Sequence, residues 1–181
     1  MILLLAVAAG LLVGLGWAGR QQVKYEAPSL RHLWLVFAAF VPQYIVVRSA
    51  AMPDAAASIG LIVSQILFLV FALLNYEHQG MRILMAGAAL NLLVMITNGG
   101  FMPISPHTAS RLISQELLLD ISSGSRFGAK DILLLPEHTR FEWLADRFLP
   151  PAWSPYQVAF SLGDVFIAAG VFWLLARPKK I

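Results

Sequence analysis

Five apolar segments constrain the fold of this chain more than any other feature of its sequence. Each comes close to the length of a membrane-spanning helix, because about 20 residues rising 1.5 Å each cross a hydrocarbon core of about 30 Å. The segments cover residues 2–19, 33–47, 55–74, 83–97 and 158–176. They predict an all-helical (all-α) fold, a polytopic bundle of about five transmembrane helices forming one integral membrane domain over residues 1–181.

The composition excludes a soluble globular protein. Hydrophobic residues make up 59% of the chain and charged residues only 13%, whereas soluble proteins carry about 25% charged residues. The formal net charge is +3, but most basic residues lie beside the apolar segments, where they set orientation. We therefore expect no nucleic-acid partner. The chain has no Cys, which excludes disulfides and thiolate chemistry.

The positions of the basic residues predict how the chain is oriented in the membrane. Short cytoplasmic loops of membrane proteins are enriched in Lys and Arg. Five crossings would place most basic residues outside the long loop on one side, which we predict to be cytoplasmic. These residues are Arg20, Lys24, Arg31, Arg82, Arg177, Lys179 and Lys180. The amino terminus and the loop over residues 98–156 are then predicted to lie outside, and the carboxy terminus inside.

The long outer loop carries signals of ordered structure. Ser105 before Pro106 is typical of a helix start, with an N-cap followed by proline at the first helical position. The apolar residues after it predict a short amphipathic helix; they are Leu112, Ile113, Leu117 and Leu119. Residues 131–135 fit either a short strand or a buried turn, and periodicity does not separate the two.

Asp164 is an acid inside the last apolar segment, and it is the first candidate for a functional residue. An unpaired charge at the membrane centre costs about 2.5–3.5 kcal/mol on insertion scales, so the acid must find a partner or hold a proton. A structural interpretation makes Asp164 a cap, or pairs it with Arg147 or Arg126. A functional interpretation places it in a binding or catalytic site.

Further polar residues are expected in the same outer half of the bundle. Gln43, Gln65 and Asn91 lie within apolar segments, where they either hydrogen-bond between helices or line a pocket. Around Asp164 and at the end of the fourth segment, small and turn-forming residues either pack closely or let a ligand approach. The predicted binding pocket consists of Asn98, Gly99, Gly100, Ser161, Gly163, Asn91, Gln43 and Gln65.

Two motifs resemble a family of uncharacterised bacterial multi-pass membrane proteins. They are Asn98-Gly99-Gly100-Phe101-Met102-Pro103-Ile104-Ser105 after the fourth segment and Ser161-Leu162-Gly163-Asp164 at the start of the last. The resemblance covers essentially the whole chain. It implies a location in the inner (plasma) membrane of a bacterium, and it carries no established activity.

A second resemblance, covering scattered pieces of the chain, is to the lipoprotein signal peptidases. Phe160-Ser161-Leu162-Gly163-Asp164 is similar to their last motif, Asp146-Arg147 to their other catalytic motif, and Asn98-Gly99-Gly100-Phe101 to a third segment. This resemblance implies an intramembrane aspartyl hydrolase with Asp164 and Asp146 as its catalytic pair. The chain has Ser161 where those enzymes have Asn, and no Gly-Asn precedes Asp146, so Asp131 and Asp120 are alternatives for the second acid.

Three functional hypotheses follow from these residues. The first is a non-catalytic accessory subunit or a protein that binds membrane lipid or other membrane-protein subunits. The second is the acid-pair hydrolase, in which one carboxyl activates water and the other protonates the leaving group. The third is a small transporter or proton relay, ranked last because the cytoplasmic half is almost entirely apolar. His107, His138 and Asp146 match no compact ligand motif, so neither a metal nor a cofactor is predicted.

Overall fold

The computed structural model describes residues 2–49, 52–151, 153–154 and 157–177. The chain is mostly helical, with a small β-sheet in the long loop. The expectation of an all-helical fold is therefore corrected by that sheet. Two basic residues used to predict orientation, Lys179 and Lys180, lie outside the described residues.

Five long helices occupy the five apolar segments: α1 (Ile2–Arg20), α2 (Trp34–Arg48), α3 (Asp54–Leu74), α4 (Gln79–Thr97) and α7 (Leu162–Ala176). Three of them, α1, α3 and α4, are long and apolar enough to cross a membrane. The other two, α2 and α7, are apolar but have 15 residues each. A 15-residue helix is only about 22 Å long at 1.5 Å per residue.

The long helices pack in the order α2–α3–α4–α7–α1, as a curved row. The closest pairs are α4 with α7 and α1 with α7, followed by α2 with α3 and α3 with α4. Within the described residues, α1 and α2 stand at the two ends of this row and make at most marginal contact with each other. The two end helices of the row therefore do not pack closely against each other.

Glycines allow the closest of these contacts, between α4 and α7. A Cβ on Gly80 would lie 2.6 Å from the carbonyl oxygen of Gly170, and one on Gly170 would lie 2.6 Å from that of Gly80. Gly87 and Gly163 make a second such contact further along the same two helices. Small residues at these positions let two backbones touch, the usual way in which membrane helices gain packing energy. We call this contact the glycine seam.

The long loop folds over the ends of α3, α4 and α7. Its sheet has the order β1 (Met102–Ile104), β3 (Asp131–Leu133), β2 (Arg126–Phe127), with β1 parallel and β2 antiparallel to β3. Asp146 pairs with Ile104, and Phe148 pairs with Phe160, so the sheet is continued up to the start of α7. Short helices α5 (Pro106–Ala109) and α6 (Gln115–Leu119) and 3-10 turns at Pro136–His138 and Glu142–Leu144 complete the loop.

Two small cores hold the loop together and attach it to the helices. Ile104, Phe127 and Leu133 are buried within the loop together with Ala109 and Ala159. A second cluster joins loop residues to α3 and α4; it contains Phe101, Met102, Leu144, Leu61, Val94 and Met95. The loop is thus an ordered layer fixed on the helix ends.

The structure corrects the predicted start of the last helix and the predicted single amphipathic helix. It also decides between the strand and the buried turn considered for residues 131–135. The last helix begins at Leu162 and not at residue 158, because Phe160 is paired with Phe148 and Ser161 caps the helix. The single amphipathic helix is two short helices, since Ser114 caps a new start. Ser105 caps α5 as predicted, and residues 131–133 form a strand.

Candidate functional site

A cavity of about 300 Å³ lies on the inner side of the helix row, beneath the loop. This volume is at the lower end of the range for small-molecule sites, about 300–1,000 Å³. Most of the lining is apolar and comes from all five long helices and from the loop. The polar residues that line it are Gln43, Ser64, Gln65, Asn91, Lys130 and Asp164.

Asn91, Ser161 and Asp164 form a closed hydrogen-bond network at the glycine seam. The Asn91 side-chain amide donates to Asp164 Oδ1 at 2.9 Å, and the Ser161 hydroxyl donates to Asn91 Oδ1 at 2.8 Å. Asp164 and Ser161 also form a capping box: the Ser161 N–H donates to Asp164 Oδ2 and the Asp164 N–H donates to Ser161 Oγ, each at 3.0 Å. Two N–H groups at the start of α7 are satisfied in this way.

Gly163 is required by this network. A Cβ at position 163 would collide with the Asn91 Oδ1 atom that Ser161 donates to. The polar face of α4 with Gly87 and Asn91 meets the polar face of α7 with Ser161 and Asp164 here. Asp164 therefore helps to cap the start of α7, and its side chain also lines the cavity.

Neither arginine considered as a partner for Asp164 pairs with it. Arg147 Nη1 lies 3.4 Å from Glu142 Oε2. Arg126 Nη1 lies 3.5 Å from Asp54 Oδ1 and donates to the Met52 carbonyl at 3.2 Å. Both arginines instead tie parts of the loop and its neighbours together.

A cluster of charges lies in the loop directly above the network. The Lys130 ammonium donates to Asp146 Oδ2 at 2.6 Å and is 3.2 Å from Asp131 Oδ1. The Asp146 side chain is fully buried, and its backbone N–H donates to the Pro103 carbonyl at 3.0 Å. The Lys130 side chain keeps 34% of its surface exposed, since it reaches the cavity.

The pKa values in this cluster are shifted by burial and by mutual charge. Burial raises the pKa of Asp146 to about 8; Lys130 opposes the shift, and Asp131 and Asp164 reinforce it. Burial also raises the pKa of Asp131, again against Lys130. Burial alone would lower the pKa of Lys130, but Asp146, Asp131 and Asp164 together raise it well above its usual value. Lys130 is therefore a fixed cation and no general base at neutral pH.

Two glutamines contrast with the hydrogen-bonded groups of the Asn91, Ser161 and Asp164 network. In the charge cluster, Asp131 Oδ1 and Asp146 Oδ1 are likewise buried without a hydrogen-bond partner among the described residues. Gln43 on α2 and Gln65 on α3 line the cavity, and within the described residues neither side chain has a hydrogen-bond partner. Gln65 Oε1 is buried without a donor. Asn91 is thus a hydrogen-bonding link between helices, which was one interpretation of all three amides, whereas Gln43 and Gln65 are not.

Five of the eight predicted pocket residues do not line the cavity: Ser161 and Gly163 belong to the network beside it, and Asn98, Gly99 and Gly100 lie at the end of α4. The Asn98 amide donates to the carbonyls of Val94 and Arg140 at 2.8 and 2.9 Å and accepts from the Arg140 N–H at 2.9 Å. Gly99 and Gly100 have φ angles of +77° and +88° and end α4. These residues fix the loop to the helix end, so the simple C-cap interpretation describes them.

Lys130 and Ser64 are cavity residues that the sequence did not indicate. Ser64 is a small polar residue in an apolar helix, a pattern too common to single out. Lys130 contacts Asp146, which lies 16 positions later in the chain, and no local pattern encodes this contact. The charged pair Lys130-Asp131 at the start of a short apolar run was the only available signal.

The geometry limits the chemistry of the site. Among the described residues, no second carboxylate hydrogen-bonds to Asp164, and Asp146 is separated from the cavity by Lys130. No group of three or more His, Asp or Glu side chains in this part of the chain is placed to hold a metal ion. The cavity offers hydrogen bonds and apolar contact, which suit binding.

Comparisons with known proteins address the family and not the activity. The chain matches no curated protein and no solved structure. A family model matches residues 28–176, which include all of α2, α3, α4, the loop and α7. The expectation of an uncharacterised family is confirmed at this level. The chain belongs to DUF5317, a family of unknown function.

Proposed function

We propose that the protein is a five-span integral membrane protein that binds a lipid or other amphiphile in the outer half of the bilayer. The observation that supports this most is the cavity, which combines a mostly apolar lining with several polar side chains and lies between α1 and α2, two helices that make at most marginal contact. An amphiphile needs both surfaces, because its chain must stay in an apolar environment while its headgroup is hydrogen-bonded.

The gap between α1 and α2 gives such a ligand a lateral route. Ile2 and Leu3 at the start of α1, and Ala39 and Phe40 on α2, form the two sides of the cavity nearest this gap. A lipid could enter from the bilayer without crossing the loop. Pro42 lies next to these α2 residues inside the helix. Its missing N–H removes one backbone hydrogen bond of the helix at this point.

The proposed orientation places the loop and the amino terminus outside and the carboxy terminus in the cytoplasm of a bacterium. It is supported by basic residues at the predicted cytoplasmic side, among them Lys24 and Arg31 between α1 and α2 and Arg82 in the first turn of α4. The two 15-residue helices fit a five-span arrangement if the bilayer thins locally or the loop layer dips into the interface.

The weaker proposals are an acid-pair hydrolase, an accessory subunit and a proton relay. The hydrolase would require Asp164 to give up its cap and meet a second carboxyl. No contact among the described residues favours the relay or identifies a partner subunit.

Lipid retained by the purified protein tests the proposed function. We expect mass spectrometry of the detergent-purified protein to show a lipid bound at close to one per chain. Ala39→Phe should remove it, because Ala39 lines the cavity and a phenyl ring would fill part of the volume. Ala38→Phe is the matched control, since Ala38 is the neighbouring residue on the same helix and does not line the cavity.

A second pair of variants keeps the test valid if the Ala39→Phe variant does not fold. Leu3→Trp narrows the cavity from α1, whereas Leu4→Trp changes a residue that is 73% exposed outside it. Loss of lipid in Leu3→Trp and Ala39→Phe, but not in the two control variants, supports the proposal. Equal lipid in all four variants and the original protein would contradict it.

Cysteine labelling tests the orientation directly, because the chain contains no Cys. Ser123→Cys in the loop should react with a membrane-impermeant maleimide added to intact cells. Lys24→Cys between α1 and α2 should react only after the cells are permeabilised. The reverse pattern would invert the proposed orientation.

A further inference from the structure

We infer that the cavity selects a neutral amphiphile whose headgroup carries a free hydroxyl, hydrogen-bonded by Gln43 and Gln65. This inference rests on the proposed function and adds the chemical class of the ligand. Some polar groups that line the cavity already have hydrogen-bond partners and others have none among the described residues, and this difference supports the inference.

The unsatisfied groups lie on the α2 and α3 side. Gln65 Oε1 is buried and has no hydrogen-bond donor, so an O–H or N–H group of a ligand would satisfy it. The side-chain amide N–H groups of Gln43 and Gln65 have no acceptor among the described residues, so they call for a ligand oxygen. A hydroxyl meets both requirements with one group, since it donates one hydrogen bond and accepts others.

The opposite side of the cavity has few hydrogen bonds left to offer. Asn91 gives its amide to Asp164 and accepts from Ser161, and Asp164 accepts from Asn91 and Ser161. This network is shared with the helix cap and must stay intact for α7 to start correctly. The headgroup is therefore bound by the glutamines, and the network serves as a rigid wall.

The charges around the cavity disfavour a phosphate. Lys130 is the only basic residue among the described residues that line it. Its ammonium is already 2.6 Å from Asp146 and 3.2 Å from Asp131, and Asp164 adds a third acid nearby. A phosphate would have to compete with two carboxyl groups for the Lys130 ammonium, would face Asp164 in the same cavity and would lose hydration on entering. An uncharged headgroup does not pay this cost.

Photolabelling of the full-length protein in dioleoylphosphatidylcholine nanodiscs tests the inference. The four probes carry a diazirine in one chain: dioleoylglycerol, its acetate ester, the matching phosphatidic acid and a long isoprenoid alcohol. The first three differ only at the headgroup oxygen, and the last offers a hydroxyl on a different chain. The site and extent of labelling are read by mass spectrometry of the intact protein and of its peptides.

We expect dioleoylglycerol to label cavity residues about fivefold more than its acetate or the phosphatidic acid, which is the size of effect expected for one or two lost hydrogen bonds. Gln65→Leu should reduce labelling by dioleoylglycerol about fivefold and leave the acetate unchanged. Gln21→Leu, at an exposed position after α1, should change neither. Labelling by the isoprenoid alcohol decides which hydroxyl source fits.

The contradicting results separate the two proposals. Equal labelling by the hydroxyl probe, acetate and phosphatidic acid, with lipid still lost in Ala39→Phe, would overturn the hydroxyl requirement and leave lipid binding intact. Preference for phosphatidic acid would have the same meaning. Failure of every probe to label cavity residues, with no effect of Ala39→Phe, would overturn both. The probe comparison uses the unaltered protein, so it does not depend on whether Gln65→Leu folds.

Discussion

The glycine seam between α4 and α7 and the α2–α3 side of the bundle contain similar residues but use them differently. At the seam, Gly87 and Gly163 bring backbones into contact, and Asn91 makes hydrogen bonds to both Asp164 and Ser161. On the α2–α3 side, Gln43 and Gln65 line open space and have no described partner.

This difference teaches how to interpret a polar residue in an apolar helix. A side-chain amide buried against a neighbouring helix satisfies its hydrogen bonds there and contributes to folding. An amide left without a partner lowers stability in the unliganded protein and is retained for another reason. Counting satisfied groups therefore separates a structural Asn from two Gln side chains available to a ligand.

The largest effect should come from closing the seam. Gly163→Ala places a Cβ on Asn91 Oδ1, so either the network breaks or the helices separate. Overpacking of this kind costs about 3 kcal/mol at its upper range. Gly16→Ala is the matched control, because nothing lies within 4 Å of the new Cβ. Unfolding in mixed micelles, followed by circular dichroism, should show a large loss only for Gly163→Ala.

Removing the acid should have the next largest effect. Asp164→Ala leaves the Asn91 amide and the Ser161 N–H without acceptors, at a cost of about 2 kcal/mol. Asp164→Asn keeps one acceptor oxygen and should cost less than half as much. The same unfolding measurement compares them. An equal, large loss in both variants would mean that the negative charge itself is needed.

The charge cluster above the seam should make stability depend on pH. The pKa of Asp146 is 3.8 when unfolded and about 8 in the folded protein, so between these values the folded state holds a proton that the unfolded state has released. Stability is therefore predicted to fall as the pH rises from about 4 to 8, by at most about 1.4 kcal/mol per unit. The raised pKa of Asp131 acts in the same direction.

Asp146→Asn removes this titrating group and is the control for the pH dependence. Unfolding of both proteins at pH 5, 6 and 7 should give a shallower slope for the variant. Parallel slopes would show that Asp146 does not hold the proton.

The smallest effect on stability should come from the cavity glutamines. Gln65→Leu removes side-chain hydrogen-bonding groups that have no described partner, so we expect a change within about 0.5 kcal/mol, or a gain. The same holds for Gln43→Leu. A loss comparable to that of Asp164→Ala would place these residues with Asn91 as links between helices, and the comparison of the two sides would fail.

Much of the fold was predictable because it is encoded locally. Runs of apolar residues gave the helices, and Ser105 before Pro106 gave a helix start. Asn91 and Asp164 stood out as polar residues within apolar segments, and a hydrogen bond between them joins α4 to α7. The start of α7 was missed because Phe160 pairs with Phe148, a contact made by a distant part of the loop.

The candidate site was only partly predictable, for the same reason. Gln43, Gln65, Asn91 and Asp164 stand out against apolar neighbours, and all four line the cavity. Asn98 also stands out, but its partner is Arg140, 42 residues away, and this contact takes it out of the site. Which polar residues share a space depends on packing across the bundle, and no spacing in the sequence records that.

Crosslinking from inside the cavity tests the central claim most directly. p-Benzoylphenylalanine would replace Phe40, which is 52% exposed and lines the cavity, or Phe37, which is 73% exposed on the same helix and does not line it. After extensive washing in detergent to remove loosely bound lipid, illumination should give an adduct of one lipid mass at position 40 and none at position 37. Equal adducts at both positions, or none at either, would contradict a lipid site in the outer half of this bundle.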